Sequence, residues 1–157
     1  MDPRIVFVTD FPDAADVARE MAPSGFEMII APARSAEYKE AMKSAEYLVG
    51  FVDGLVDEQL YKEGPNLKLV QLLSAGYDKA DLSAARKAKV PLSNNGGANS
   101  VAVSEHAILL ALAVSRQLIL QHTSVSNGRW RGNSTPRVHE VRNKTMGIVG
   151  LGTIGKK

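Results

Sequence analysis

The chain has no cysteine among its 157 residues, which excludes a disulfide framework, a thiolate metal site and a cysteine nucleophile. It also lacks a long hydrophobic run. The longest, Ala107–Val114, falls far short of the roughly 20 apolar residues that span a bilayer. Nothing at the N-terminus has the form of a signal peptide, because Asp2 and Pro3 lead at once into a strand-like run. Internal repeats and low-complexity segments are absent too. The expectation is a cytoplasmic protein with neither membrane nor metal among its partners. What is present suffices for a core: the 45% hydrophobic content is ordinary for a globular chain. The length suits one small domain plus part of a second.

Charge is unevenly placed. Residues 1–128 carry 12 Lys and Arg against 16 Asp and Glu, and residues 129–157 carry 7 against 1. A basic tail containing Trp130 raises nucleic acid as a partner. However, Arg129, Arg131, Arg137 and Arg142 are scattered among turn residues rather than aligned on a helix face. A connector beside an anionic cofactor is the better reading.

That cofactor is suggested by the last residues. Thr145–Val149 is a short apolar run that reads as a buried strand, and it leads into Gly150-x-Gly152-x-x-Gly155. This is the spacing of a dinucleotide-binding turn, with one glycine each for the tight turn, the approach of a pyrophosphate and helix–strand packing. A rival reading starts from Gly150, four residues, then Gly155-Lys156, a near miss to the nucleotide-triphosphatase phosphate loop. That loop needs Ser or Thr next to ligate Mg²⁺, and Lys157 stands there.

Upstream, strand and helix patterns alternate. Strands are expected at Arg4–Thr9, Glu27–Ala31, Tyr47–Val52, Leu67–Leu73 and Val90–Ser93. Helices are expected at Ala14–Met21, Ser35–Lys43, Asp57–Lys62 and Leu82–Lys89. Asp10–Asp13 is turn chemistry containing a candidate helix N-cap. Helical segments of this length between strands imply right-handed crossovers and a parallel sheet. The fold class is therefore α/β. A flavodoxin-like doubly wound sheet comes first, then a long helix and the first βα turn of an incomplete Rossmann domain.

Such sheets bind ligands beyond the carboxyl ends of their strands. Two loops are placed there. One is Ser74-Ala75-Gly76-Tyr77-Asp78, whose Gly76 can bring backbone N–H groups close to a carboxylate; the other is Asn94–Ser100. Both also read as plain connections, with Asp78 or Asp81 capping one helix and Asn99 or Ser100 the next. The helix expected from Ser100 to about Gln121 is apolar on all faces at Ala107–Val114, which a surface helix would not tolerate. It reads either as a core helix or as a helix joining domains and supporting an oligomer contact, and the chain has little mass to surround it.

Together these stretches resemble the D-isomer-specific 2-hydroxyacid dehydrogenases. The resemblance rests on Leu67–Asp78, Asp81-Leu82, Asn99–His106, Gly128-x-Trp130 and Lys144–Gly155, in that family's order and spacing. It implies a substrate domain over residues 1–98, and over 99–157 an interdomain helix, a connector and the truncated start of the dinucleotide domain. It implies that Ala75 and Gly76 bind the substrate carboxylate, that Tyr77 borders that site and that Asn99 helps to place the reacting groups. Val103 would lie against the nicotinamide, and Gly150, Gly152, Thr153, Ile154 and Gly155 would hold the pyrophosphate of NAD or NADP. The Ser100–Gln121 helix would form a homodimer contact.

The family's Arg and His–Glu pair would lie beyond Lys157, and none of His106, His122 and His139 is that histidine. The chain is thus expected to be silent in hydride transfer by itself. Phosphoglycerate-specific relatives commonly place an arginine just after the third strand, where this chain has Asp53. A small 2-hydroxy or 2-keto acid without phosphate is the expected substrate. The alternative is a dimerising binding module of the same descent without chemistry. A final expectation concerns Thr145–Gly150. Without its downstream neighbours this strand would leave unpaired backbone groups.

Overall fold

The computed structural model describes residues 2–130 and 137–157 and divides into two compact units, 1–96 and 97–157. In the first unit, β-branched and aliphatic runs form the strands and short polar-to-apolar segments form the helices between them. The order is β1 (Arg4–Val8), α1 (Pro12–Glu20), β2 (Glu27–Ala31), α2 (Ala36–Met42), β3 (Tyr47–Gly50), α3 (Glu58–Glu63), β4 (Leu69–Leu72), α4 (Leu82–Ala88) and β5 (Leu92–Ser93). All pairings are parallel and the sheet order is β2-β1-β3-β4-β5. The expected flavodoxin-like order is the one found. β2 has the expected bounds, β1, β3 and β4 end one or two residues early, and β4 and β5 begin two residues late.

Register explains the core. Ile29, Val6, Leu48, Val70 and Leu92 stand abreast across the five strands, and Ala31, Val8, Gly50 and Leu72 form the next row on that face. Tyr38, Ala41 and Met42 of α2 and Leu60 of α3 close over these rows. Burying one Leu or Val side chain here contributes about 1.5–3 kcal/mol. Burial is also what pushes the Tyr38 hydroxyl up to about 12, with the Glu63 carboxylate adding to it. Gly50 is required by proximity: a Cβ there would lie 2.6 Å from the Val8 carbonyl oxygen. The β1 and β3 backbones close together at that point.

Side-chain caps open three of the helices, at two of which the residue expected to begin the helix is its cap. Ser35 accepts from Tyr38 N at 3.0 Å, Asp57 from Leu60 N at 2.8 Å, and Asp81 from Ser83 N and Ala84 N. Asp81, not Asp78, caps α4. The turn before α1 differs from expectation. Phe11 occupies its N-cap without a side-chain bond and Pro12 takes the first turn, where its missing N–H costs nothing.

The second unit holds α5 (Ser100–Ser115) and α6 (Leu118–Ser126). The single helix expected from Ser100 to about Gln121 is in fact two helices bent by 62°. Gln117 adopts a left-handed conformation, φ +49°, which ends one helix and starts the other. Among the described residues no single helix is long and apolar enough to cross a membrane. Only Ser100 of α5 is buried, and Ile108, Leu109, Leu110 and Leu112 are exposed. The core-helix reading therefore does not hold within this unit. Thr145–Gly150, read as a strand, forms no ladder. A strand exists only by pairing, and among the described residues this unit supplies no neighbour. Arg131 of the basic connector lies outside the described residues.

Gly50→Ala should destabilise the chain by about 1–3 kcal/mol in urea unfolding, because the new methyl must push β1 from β3. Ser35→Ala, which removes one cap, should cost about 1 kcal/mol.

Candidate functional site

Parallel strands bring all their carboxyl ends to one edge, and there the backbone pairing runs past the strands themselves. Thr9 N donates to Ala31 O at 3.3 Å, Leu73 N to Gly50 O at 2.9 Å and Asn95 N to Ser74 O at 3.0 Å. The loop after β4 is thereby held between those after β3 and β5. Two side chains pin it further: Ser74 Oγ donates to Gly76 O at 2.8 Å, and Asn94 Nδ2 to Ala75 O at 2.7 Å. With these carbonyls engaged, the N–H groups of Ala75, Gly76 and Tyr77 find no acceptor among the described residues. Successive free N–H groups form an anion-binding concavity. Ala75, Gly76 and Tyr77 thus lie together on the ligand-binding edge, with Tyr77 half exposed. A cavity of about 210 Å³ beside them is lined by Leu72, Tyr77, Leu82, Leu92, Ser93 and Asn94.

The remaining sequence-derived residues belong to the second unit. Asn99 stands at the N-cap of α5 with no side-chain capping bond, so its amide is uncommitted, and its carbonyl accepts from Val103 N at 2.9 Å. Val103 is partly exposed one turn further on. The glycine turn is formed although its strand is not. Gly150 has φ +94°, a value glycine adopts without strain. A Cβ on Gly155 would lie 2.1 Å from the Gly150 carbonyl oxygen, so the third position admits glycine only. Lys156 N donates to Gly152 O at 3.2 Å, and the N–H groups of Gly152, Thr153 and Ile154 have no acceptor among the described residues. These features suit a pyrophosphate. Within the second unit Gly97 lies beside this turn, since a Cβ there would be 3.2 Å from Thr153 Cγ2.

The three histidines lie on neither loop. His106 and His122 lie on α5 and α6 and His139 follows them in the connector. None of the three rings makes a hydrogen bond among the described residues. The first loop itself ends on Asp78, whose Oδ2 would lie 3.3 Å from a Cβ on Gly76, and Asp81 follows at the N-cap of α4. The Ser83 hydroxyl, and then the backbone N–H groups of Ala84 and Ser83, hold the Asp81 carboxyl below the ordinary 3.8.

The match to known proteins now has a geometric counterpart. Residues 6–149 match the family model described as "D-isomer specific 2-hydroxyacid dehydrogenase, catalytic domain". The chain belongs to this family. It is 31% identical over 123 residues to a glyoxylate reductase of Thermococcus litoralis, covering 74% of this chain and 37% of that protein. It is 32% identical over 128 residues to glyoxylate/hydroxypyruvate reductase B of Escherichia fergusonii, covering 80% and 39%. Among solved structures it is similar to an NAD-dependent formate dehydrogenase from Staphylococcus aureus in complex with NAD. The TM-score there is 0.76 at 25% identity, over 98% of this chain and 51% of the other. The chain spans about half or less of the length of these relatives.

Sequence reasoning named the first loop but missed what holds it. Asn94 and Ser74 were visible only as turn residues, since a side-chain bond across 19 positions leaves no local pattern. Asp81 gives a measurable consequence. Its folded-state carboxyl is held below the unfolded value, so its contribution is complete above about pH 4 and is lost as pH falls through the lower folded value. Asp81→Asn should flatten the dependence of Tm on pH within that acid window and leave the dependence near neutrality unchanged.

Proposed function

We propose that this chain supplies the substrate domain, residues 1–98, and over 99–157 the opening of the dinucleotide domain, of an oxidoreductase. The reaction is hydride transfer between NAD(P) and a small 2-hydroxy or 2-keto acid, in a cytoplasmic setting. The observation that carries the reading is the pinned loop after β4, with three free N–H groups on the ligand-binding edge of the sheet. There Ala75 and Gly76 hold the carboxylate and Tyr77 borders it. In the second unit Asn99 orients the reacting carbons, Val103 flanks the nicotinamide, and Gly150, Gly152, Thr153, Ile154 and Gly155 receive the pyrophosphate. The dinucleotide, when bound, supplies or accepts the hydride. The chain's own residues bind and orient. The proton must be moved by a base tuned near neutrality, and we assign that task, with the carboxylate-binding Arg, to residues beyond Lys157. The names of the relatives, glyoxylate and hydroxypyruvate reductases, support a small 2-keto acid.

A second reading is favoured by the exposed apolar side chains of α5 and α6: a dimerising module of the same descent that binds without chemistry. In both readings the pair of helices forms a homodimer contact. An open reading frame continuing past Lys157 and carrying Arg, Glu and His distinguishes the enzyme from the module.

Two measurements test the proposal. Addition of pyruvate or glycolate to the isotopically labelled chain should shift the Ala75, Gly76 and Tyr77 amide resonances; shifts confined to other residues would overturn the carboxylate site. The purified 157-residue chain should show no NADH-dependent reduction of glyoxylate or hydroxypyruvate, and measurable turnover would show that the base is already present.

A further inference from the structure

β2 stands at one end of the sheet order and pairs with β1 alone. The bonds at the two ends of that ladder show which backbone groups it uses. Glu27 N donates to Pro3 O at 3.1 Å, and Thr9 N donates to Ala31 O at 3.3 Å. Successive strand residues turn their backbone groups to opposite sides. Glu27, Ile29 and Ala31 therefore face β1, while the N–H and C=O groups of Met28 and Ile30 point outward. Among the described residues nothing bonds these outward groups.

Proteins ordinarily guard such an edge with a lysine, a proline or a bulge. β2 has none of these and reads Glu-Met-Ile-Ile-Ala. Its one charge, Glu27, is held by the Arg4 guanidinium at 2.7 and 3.0 Å. A cavity of about 530 Å³ along this edge is lined by Phe26, Met28, Ile29 and Ile30, with Arg19 and Glu37 as its charged residues. Arg19 is itself paired with Asp16 at 2.7 Å. The opposite edge, β5, has only two residues and offers no comparable length.

We propose that β2 is an interface between two copies of this chain, paired antiparallel about a two-fold axis at Ile29, so that two five-stranded sheets join as one. A two-fold contact sets a patch against itself, so the patch must be self-complementary. This one is. Met28 lies opposite the partner's Ile30, and Ile30 opposite the partner's Met28. Each of these pairs exchanges both of its backbone bonds, so every outward group of the two residues is satisfied. Ile29 meets the partner's Ile29 at the closer, non-bonded position, and the cross-strand pairs are apolar on both faces of the sheet. Glu27 falls opposite the partner's Ala31, so no like charges oppose each other. A strand of unrelated sequence would have to match this pattern, which the chain's own β2 already meets. The contact uses residues of the first unit only and goes beyond the homodimer contact assigned to α5 and α6.

Amide hydrogen exchange of the isotopically labelled 157-residue chain, followed at low and high protein concentration, tests the edge residue by residue. The Ile29 amide, turned to β1, should be slow throughout and reports that the sheet is intact. The Met28 and Ile30 amides should be fast in the dilute chain and about tenfold or more slower in the concentrated one. Met28→Lys puts a charge on the edge, and Ile30→Pro removes an outward N–H without touching the β1 ladder. Each should leave the remaining outward amides fast at both concentrations, with Ile29 still protected. Fast exchange of Met28 and Ile30 in the concentrated chain, with or without association through α5 and α6, would overturn the inference. So would slowing that survives both substitutions. Slow exchange already in the dilute chain would mean that its own residues cover the edge. Slowing that requires an added peptide of alternating valine and lysine would assign the edge to another partner, and either result rejects the paired copy.

Discussion

The parallel register of the sheet, continued by backbone hydrogen bonds past the ends of its strands, is the constraint on which the first unit depends. Leu73 N to Gly50 O and Asn95 N to Ser74 O extend the pairing into the loops, so the loops inherit the order of the strands. The close approach of β1 and β3 at Gly50 belongs to the same arrangement. Because every strand ends on the same edge, the loops after β1, β3, β4 and β5 are brought together by the backbone alone. An antiparallel sheet would have sent half of them to the other end.

This frame also holds the loop after β4 with its backbone N–H groups on the edge where the strands end. The Ser74 hydroxyl and the Asn94 amide engage the carbonyls of Gly76 and Ala75, and the N–H groups of these two residues have no acceptor among the described residues. The second unit repeats the solution with different means. There glycine, rather than side-chain pinning, lets the backbone turn at Gly150 and pack at Gly155. Both sites present N–H dipoles, which suit a carboxylate in one case and a pyrophosphate in the other.

Much of this was legible along the sequence. Period-two and period-3.6 patterns located the elements, and Ser35, Asp57 and Asp81 marked three helix starts within a residue. Gly150-x-Gly152-x-x-Gly155 announced its turn because each glycine answers a local requirement. Phe11 was not legible as a cap, since it forms no capping bond and follows better candidates. The break at Gln117 was also hidden: a glutamine in the left-handed region carries no compositional signal, unlike a glycine in the same place.

The sequence by itself determined the family, the βα alternation and the position of both glycine-bearing loops, because these depend on local propensity and on spacing along one chain. The tertiary structure decided which loops are neighbours, that Asn94 holds Ala75, and that the loop after β3 lies beside the one after β4. It also decided that Thr145–Gly150 is no strand here, because a strand is made by a partner's backbone and the described residues of this unit supply none. Such relations join residues distant in sequence through strand order and register, and no local pattern encodes them.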